Sequence, residues 1–243
     1  MLEGRLQKRA RALQHSNLNE YIDHLFEGEQ FDTEFTHLID AVTTNKTDFF
    51  REAKHFEYMQ TVALPAIANS GVRTIRTWSS ACSTGAEPYT MAMVLAEFAE
   101  NRNDVSYSVL ATDLSTDVLQ TARRGIYPED LIAPVPRDLQ RKYVLVAKQQ
   151  GRKEVRINPK LRSRVGFARM NLMDDKYPVG DLMNIIFCRN VLIYFDKQTQ
   201  AGVLNRLCDC LAKGGYMFIG HSESITGFDL PLKQVSNTVF QRI

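Results

Sequence analysis

A chain of 243 residues has room for one large domain or for a large and a small one, and 44% apolar residues are enough to bury a core. Charged residues make up 24% and the formal net charge is only +2, which excludes a polyanion-binding character of the whole molecule and leaves partner preference to local clusters. No run approaches 18 consecutive apolar residues and the opening MLEGRLQKRA has no signal-peptide core, so the expected setting is cytoplasmic, without direct membrane insertion.

The first part reads as helical. Arg5, Lys8, Arg9 and Ala12 recur at helical spacing. Asn17 with Glu20 has the form of a capping pair ahead of Tyr21–Phe26, and Gly28 is the expected stop. Asp32 is a candidate N-cap for a helix through Phe35, Leu38, Ile39 and Val42. After the polar stretch Thr43–Thr47, a further helical run takes in Phe49, Phe56, Met59 and Val62, and Pro65 marks a kink or the beginning of its end.

From about residue 72 the pattern changes. Val72–Ser79 reads as a strand, Cys82–Pro88 as a small-residue loop and Met91–Phe98 as a helix. Ser106–Thr112 follows as a strand, then Ser115–Arg124 as a capped helix closed by Gly125. Residues 126–164 are less regular. Val165–Met170 and Leu182–Cys188 read as strands, Lys197–Ala212 as a helix ended by Gly214 and Gly215, and Tyr216–Gly220 with Asn237–Arg242 as a closing antiparallel pair. Strands alternating with helices predict an α/β fold with a mainly parallel sheet covered on both faces. The expected division is a small helical domain over about 1–65 and an α/β domain over about 70–243, with 126–164 inserted into it.

In such a sheet, ligands sit beyond the carboxyl ends of the strands. The segment Ser79–Pro88 lies at one such end, and its small side chains, with Gly85 among them, let a ligand approach the backbone ahead of a helix N-terminus. It is neither GxGxxG nor GxxxxGK[ST], so a nucleoside without a pyrophosphate fits better than a dinucleotide. Glu87 can pair with a cationic amine, although an ordinary strand-to-helix turn with a carboxylate near the helix dipole explains the same residues. Asp113 ends the second strand, where an acid can accept two hydrogen bonds from ribose hydroxyls. Its competing reading is a helix N-cap, a role that Ser115 also suits.

These residues belong to a longer pattern. Asn45-Lys46-Thr47-Asp48-Phe49-Phe50-Arg51-Glu52, Trp78 to Tyr89, Ala111-Thr112-Asp113, Asn171-Leu172, Ile186 to Asp196 and Gly220-His221-Ser222-Glu223-Ser224 occur in that order. Together they resemble the chemotaxis-receptor protein-glutamate methyltransferases, and the resemblance covers nearly the whole chain. It implies a Rossmann-like S-adenosylmethionine-dependent methyltransferase domain, a small all-α N-terminal domain and a small β insertion. It implies S-adenosylmethionine as cofactor, S-adenosylhomocysteine as product and no metal. Asn45, Thr47 and Arg51 match positions that close over the cofactor, Glu87 a contact to its methionine part and Asp113 the ribose contact. Asn171, Leu172, Arg189 and Asn190 match positions near the adenosine. Arg51 and Tyr194 match the pair beside the transferred methyl, the catalytic expectation. The implied partners are acidic methylation helices of chemoreceptors, with Arg5, Lys8 and Arg9 as the docking face, and a receptor C-terminal peptide for the insertion. The pattern departs at Ala86, where the family loop commonly carries an acid, and the chain starts almost at the basic helix.

The chemistry needs no conventional base. A glutamate carboxylate is ionised at neutral pH, with a reference pKa of about 4.3, and what remains is alignment. Cys188 reads as a buried strand residue, as do Cys82, Cys208 and Cys210 as small apolar side chains. His221 reads as a structural hydrogen-bonding residue and Trp78 as core or pocket wall. The competing functions are a nucleic-acid methyltransferase, opposed by the balanced charge and the lack of an NPPY-like motif, and a non-catalytic module that senses S-adenosylmethionine.

Overall fold

The computed structural model describes residues 2–27, 31–42, 45–100, 102, 104–147 and 151–243. Three helices open the chain: α1 (Leu2–Ala12), α2 (Leu18–Glu27) and α3 (Phe31–Val42). Asn17 caps α2 as expected: its Oδ1 accepts the Glu20 amide at 2.9 Å, while Glu20 Oε2 accepts the Ser16 amide at 2.8 Å. Gly28, the expected stop, lies outside the described residues. Asp32 falls inside α3, which already begins at Phe31, so it belongs to the first turn and is not the cap.

Phe49 and Phe50 lie in an irregular turn, not in the helix expected there; Phe50 has φ 53° and Glu52 φ 58°. The helix starts only at α4 (Ala53–Tyr58), widens into a π-turn at Met59–Ala63 and continues as α5 (Leu64–Asn69). Pro65 therefore does not end the helix. Proline lacks an N–H and clashes with the preceding turn, and the wider turn sits immediately before it.

The α/β part runs β1 (Thr74–Ser79), α6 (Ala86–Glu100), β2 (Ser106–Asp113) and α7 (Thr116–Arg124). Ser115 caps α7 through the Val118 amide, and Gly125 closes it at φ 59°. Next come β3 (Ile126–Pro128), α8 (Arg137–Tyr143), β4 (Val144–Val146), β5 (Glu154–Ile157) and α9 (Pro159–Arg162). The chain then returns through β6 (Val165–Arg169), β7 (Met183–Cys188), α10 (Lys197–Cys210), β8 (Leu211–Ile219), β9 (Leu232–Ser236) and β10 (Val239–Arg242).

Seven strands form one sheet in the order β6-β2-β1-β7-β8-β10-β9, and β3, β5 and β4 form a small antiparallel one. In the large sheet β6, β2, β1, β7 and β8 are parallel, and β10 runs antiparallel to β8 and β9. Two corrections fall at its far edge. Strand β9 was not expected from the sequence. The pair Gly214 and Gly215 does not end α10; the helix stops at Cys210 and the glycines lie inside β8, where the register with β7 shifts. Gly215 is required there, because a Cβ would come within 2.9 Å of the Asn184 carbonyl of β7.

One face of the sheet packs against α6 together with α4 and α5, through Phe56, Met59, Leu64, Met91 and Phe187. The other packs against α10, through Trp78, Ile186, Val203 and Leu207. Trp78 is thus a core residue; its Nε1 donates to Thr112 Oγ1 at 2.9 Å. All four cysteines are free and buried. Among the described residues no helix is long and apolar enough to cross a membrane.

Candidate active site

The parallel sheet reverses direction of winding between β1 and β7, and a crevice opens at the carboxyl ends where neighbouring crossovers go opposite ways. Here that crevice is a cavity of about 470 Å³. Each wall comes from a different stretch of chain. The ends of β1 and β2 bring Ser80, Ala81, Ser83 and Asp113; Met170–Met173 adds a wall after β6; Arg189–Val191, Tyr194 and Phe195 follow β7; and Asn45–Asp48 with Arg51 cover it from the helical side.

Asp113 is held by the backbone. Its Oδ2 accepts the Ser83 amide at 2.8 Å and its Oδ1 the Ser115 amide at 3.0 Å. Burial pushes its carboxyl above the usual range, and these amides pull against that shift. A carboxylate has about four acceptor sites, so two remain for hydroxyls of a ligand. Ser83 sits at φ 49°, donates its hydroxyl to the Asn45 carbonyl at 2.8 Å, and so joins the strand-end loop to the 45–51 segment.

Glu87 is not a loop residue. It lies in the first turn of α6 with a side chain 12% exposed, and it already has a cation. Its Oε2 takes Arg189 Nη1 at 3.0 Å and its Oε1 takes Ser79 Oγ at 2.7 Å. Arg189 in turn binds Glu52 Oε2 through Nε and Nη2 at 3.2 and 3.0 Å, and donates to the Arg51 carbonyl. Its side chain is only 2% exposed and its guanidinium lies over the rings of both Phe56 and Phe187. Burial raises Glu87, whereas Arg189 holds Glu52 below its ordinary value despite burial. Glu52 and Glu87 thus share one buried guanidinium, while Asp113 rests on the Ser83 and Ser115 amides. Of these carboxyls, Glu87 and Asp113 line the cavity, and each keeps acceptor sites for donors of a ligand.

The loop after β7 is shaped from beneath. Glu223 accepts the amides of Asn190, Val191 and Leu192 at 2.9, 2.9 and 2.8 Å, and the Gly220 amide at 2.6 Å. That holds Asn190 at φ 56° and presents Tyr194 at the mouth, 61% exposed. Arg51 stands across from it, with Nη1 donating to the Lys46 carbonyl at 2.9 Å.

Asn45, Thr47, Arg51, Glu87 and Asp113 therefore all line the cavity, and so do Asn171, Leu172, Arg189, Asn190 and Tyr194. Gly85 does not. It has φ +95°, and a Cβ there would lie 2.8 Å from both Ala122 Cβ and Tyr127 Oη, so packing against α7 and β3 explains this glycine. Arg9, of the expected docking face, has its guanidinium paired with Glu34 at 2.9 and 2.7 Å. Lys8 is exposed, and the Arg5 side chain lies outside the described residues. Glu52, Ser83 and Glu223 hold the site together without having been singled out for it. Only their place inside the quoted motifs marked them. Cys188 is fully buried, and burial pushes its thiol up, which suits a core residue. The His221 amide donates to Glu52 Oε1 at 3.2 Å.

Comparison with known proteins agrees with this geometry. Residues 45–241 match the family model "CheR methyltransferase, SAM binding domain", and residues 1–43 match "CheR methyltransferase, all-alpha domain". The chain is 42% identical to the "Chemotaxis protein methyltransferase" of Borreliella burgdorferi, over 93% of this chain and 81% of that protein. It is 37% identical to the protein of that name from Escherichia coli, over 99% and 82%. It is 35% identical to "Chemotaxis protein methyltransferase 2" of Pseudomonas aeruginosa, over 99% and 84%.

Proposed function

Because the chain belongs to the CheR methyltransferase family, an S-adenosylmethionine-dependent one, we propose that it methylates glutamate side chains of chemoreceptors in sensory adaptation, forming methyl esters. The observation that carries this reading is the strand-end cavity itself, which has Glu87 and Asp113 in its lining together with Arg51 and Tyr194. Bound S-adenosylmethionine supplies a methyl already activated by a sulfonium. Asp113 would hold the ribose hydroxyls, Asn171 and Leu172 the adenosine side, and Glu87 the cationic amine through the lone pairs that Arg189 and Ser79 leave open. Asn45 and Thr47 would close over it. Arg189 and Asn190 serve mainly to build the pocket.

Arg51 and Tyr194 orient the incoming carboxylate, which arrives ionised and needs no base. Pairing too tight would reduce its reactivity, so their work is placement. By the same chemistry the transfer requires no metal. The acceptors are the cytoplasmic methylation helices of the receptor; an acidic face suits Lys8 and Arg5 of α1. For the receptor's C-terminal peptide we assign the small sheet, a strand-adding site: β4 is an edge strand with Leu145 and Val146 49% and 68% exposed.

The test is incubation with methyl-labelled cofactor and, separately, acidic receptor fragments, RNA and DNA. Label on the receptor fragments alone is expected. Label on nucleic acid would overturn the reading, and cofactor binding without transfer would make the protein a sensor.

A further inference from the structure

Behind the floor of the cavity, among the described residues, three ligating side chains converge: Glu52, His55 and His221 each place one ligand atom within 4.8 Å of the others. Glu52 and His55 share a turn at i, i+3, and His221 comes from the loop after β8. The His55 ring is 2% exposed, and its Nδ1 has no hydrogen-bond partner.

The tautomer follows from the neighbours. Thr238 Oγ1 donates to the Asn237 carbonyl at 2.8 Å, so in its 2.7 Å contact with His55 the ring Nε2–H is the donor. Nδ1 is then a bare lone pair, and it faces Glu52 Oε2 at 3.4 Å. Two acceptors at that separation repel each other unless something positive lies between them. A cation that accepts lone pairs resolves the conflict. With bonds of about 2.0–2.1 Å, a tetrahedral Zn²⁺ site has ligand-to-ligand edges of roughly 3.4 Å. The Glu52–His55 separation has that length, and the exposed His221 ring, with its centroid 5.0 Å from that of His55, can turn in as third ligand. A cavity of about 390 Å³, lined by His55, His221, Lys54 and Asn237 among others, opens onto the group and gives an ion a way in.

We propose that Glu52, His55 and His221 form a binding site for a borderline divalent transition metal, Zn²⁺ being the model ion, coupled to the cofactor cavity through Glu52 and Arg189. Two imidazoles and one carboxylate select such an ion over Mg²⁺ or Ca²⁺. The coupling arises because Oε2 of Glu52 is also the oxygen that Arg189 uses. An ion that draws this oxygen away loosens the guanidinium that also holds Glu87. The site stands whichever acceptor the enzyme methylates.

Titration calorimetry of the ligand-free protein with Zn²⁺, then with Mg²⁺, tests it without any methyl transfer. One equivalent of Zn²⁺ should bind and Mg²⁺ should not. His221→Ala, at an exposed ring, should weaken Zn²⁺ by at least about tenfold while circular dichroism stays unchanged. X-ray absorption should report nitrogen and oxygen ligands with imidazole scattering. Absence of Zn²⁺ binding, equal affinity in His221→Ala, or sulfur in the ligand shell would overturn the site. Saturating Zn²⁺ should raise the Kd for S-adenosylmethionine, and the cofactor should raise that for Zn²⁺ by the same factor; an unchanged cofactor Kd would overturn the coupling.

Discussion

The floor and the mouth of the cavity are built in opposite ways. At the floor every charged group is tied down: Arg189 spans Glu52 and Glu87, Asp113 accepts two amides, and Glu223 beneath accepts four. At the mouth, Tyr194 is 61% exposed and Arg51, among the described residues, donates to a backbone carbonyl. The floor is preorganised for one ligand that stays the same, so its cost is met in folding. The mouth has to admit the side chain of another protein, so it is left open. Residues of the floor should therefore matter first to stability, and residues of the mouth to turnover.

Arg189→Met breaks this comparison most severely if it is wrong. It leaves two largely buried carboxylates without their cation, and removing one partner of a buried pair costs about 3–5 kcal/mol. Denaturant unfolding should show a loss of that order; a loss below about 1 kcal/mol would mean that the floor is not held by this pair. Gly85→Ala probes the layer beneath. Strain at φ +95° and the contacts with Ala122 and Tyr127 should together cost roughly 2–4 kcal/mol. Affinity for S-adenosylmethionine in the folded fraction should change little, because Gly85 does not line the cavity; a large affinity loss would restore it to the site.

At the mouth the signs reverse. Arg51→Ala should lower turnover at saturating cofactor by about ten- to a hundredfold. Tyr194→Phe, which keeps the ring and loses one hydroxyl, should cost less than about tenfold. Neither should shift the unfolding midpoint appreciably, since both are surface changes. A melting shift as large as that of Arg189→Met would erase the distinction between the two regions.

The smallest effect serves as a control away from the cavity. Glu34 is paired with Arg9 and Tyr21, in the manner of the floor but between α1, α2 and α3. The hydrogen bonds from Arg9, against burial, hold its carboxyl below the usual range. A carboxyl lowered by folding contributes stability above its unfolded pKa of about 4.3 and loses it as pH falls through the lower folded value. Unfolding measured below about pH 4.3 should thus be less pH-dependent in Glu34→Gln, by on the order of 1 kcal/mol, with cofactor affinity unchanged. Equal acid sensitivity of both proteins would remove this pair from the ledger.

Much of the floor was legible in the sequence because it depends on local signals. A small-residue run after a strand and an acid at the end of the next strand announce a nucleoside site, and Ser115 and Gly125 mark α7 at both ends. The ion-pair network was not legible. Arg189 meets partners 137 and 102 residues away, and spacing carries no trace of such contacts. Gly214 and Gly215 misled because a glycine pair is the usual helix stop, whereas here Gly214 takes φ +74° and the close approach of β7 demands Gly215. The apolar period through Phe49 suggested helix, but a chain held at positive φ at Phe50 and Glu52 by Thr90 and Arg189 cannot start one before Ala53. The motif resemblance supplied Arg51 and Tyr194; nothing in their own surroundings singles them out.

The central claim is that the nucleophile is a glutamate carboxylate, and the bond it forms decides it. An ester's acyl carbon is open to hydroxide, whereas a methyl on nitrogen has no comparable leaving group. After transfer of labelled methyl to a receptor fragment, mild alkali should release the label as volatile methanol. Replacing the acceptor glutamate by alanine should abolish labelling at that position. Label that remains on the acceptor through alkali would contradict the account.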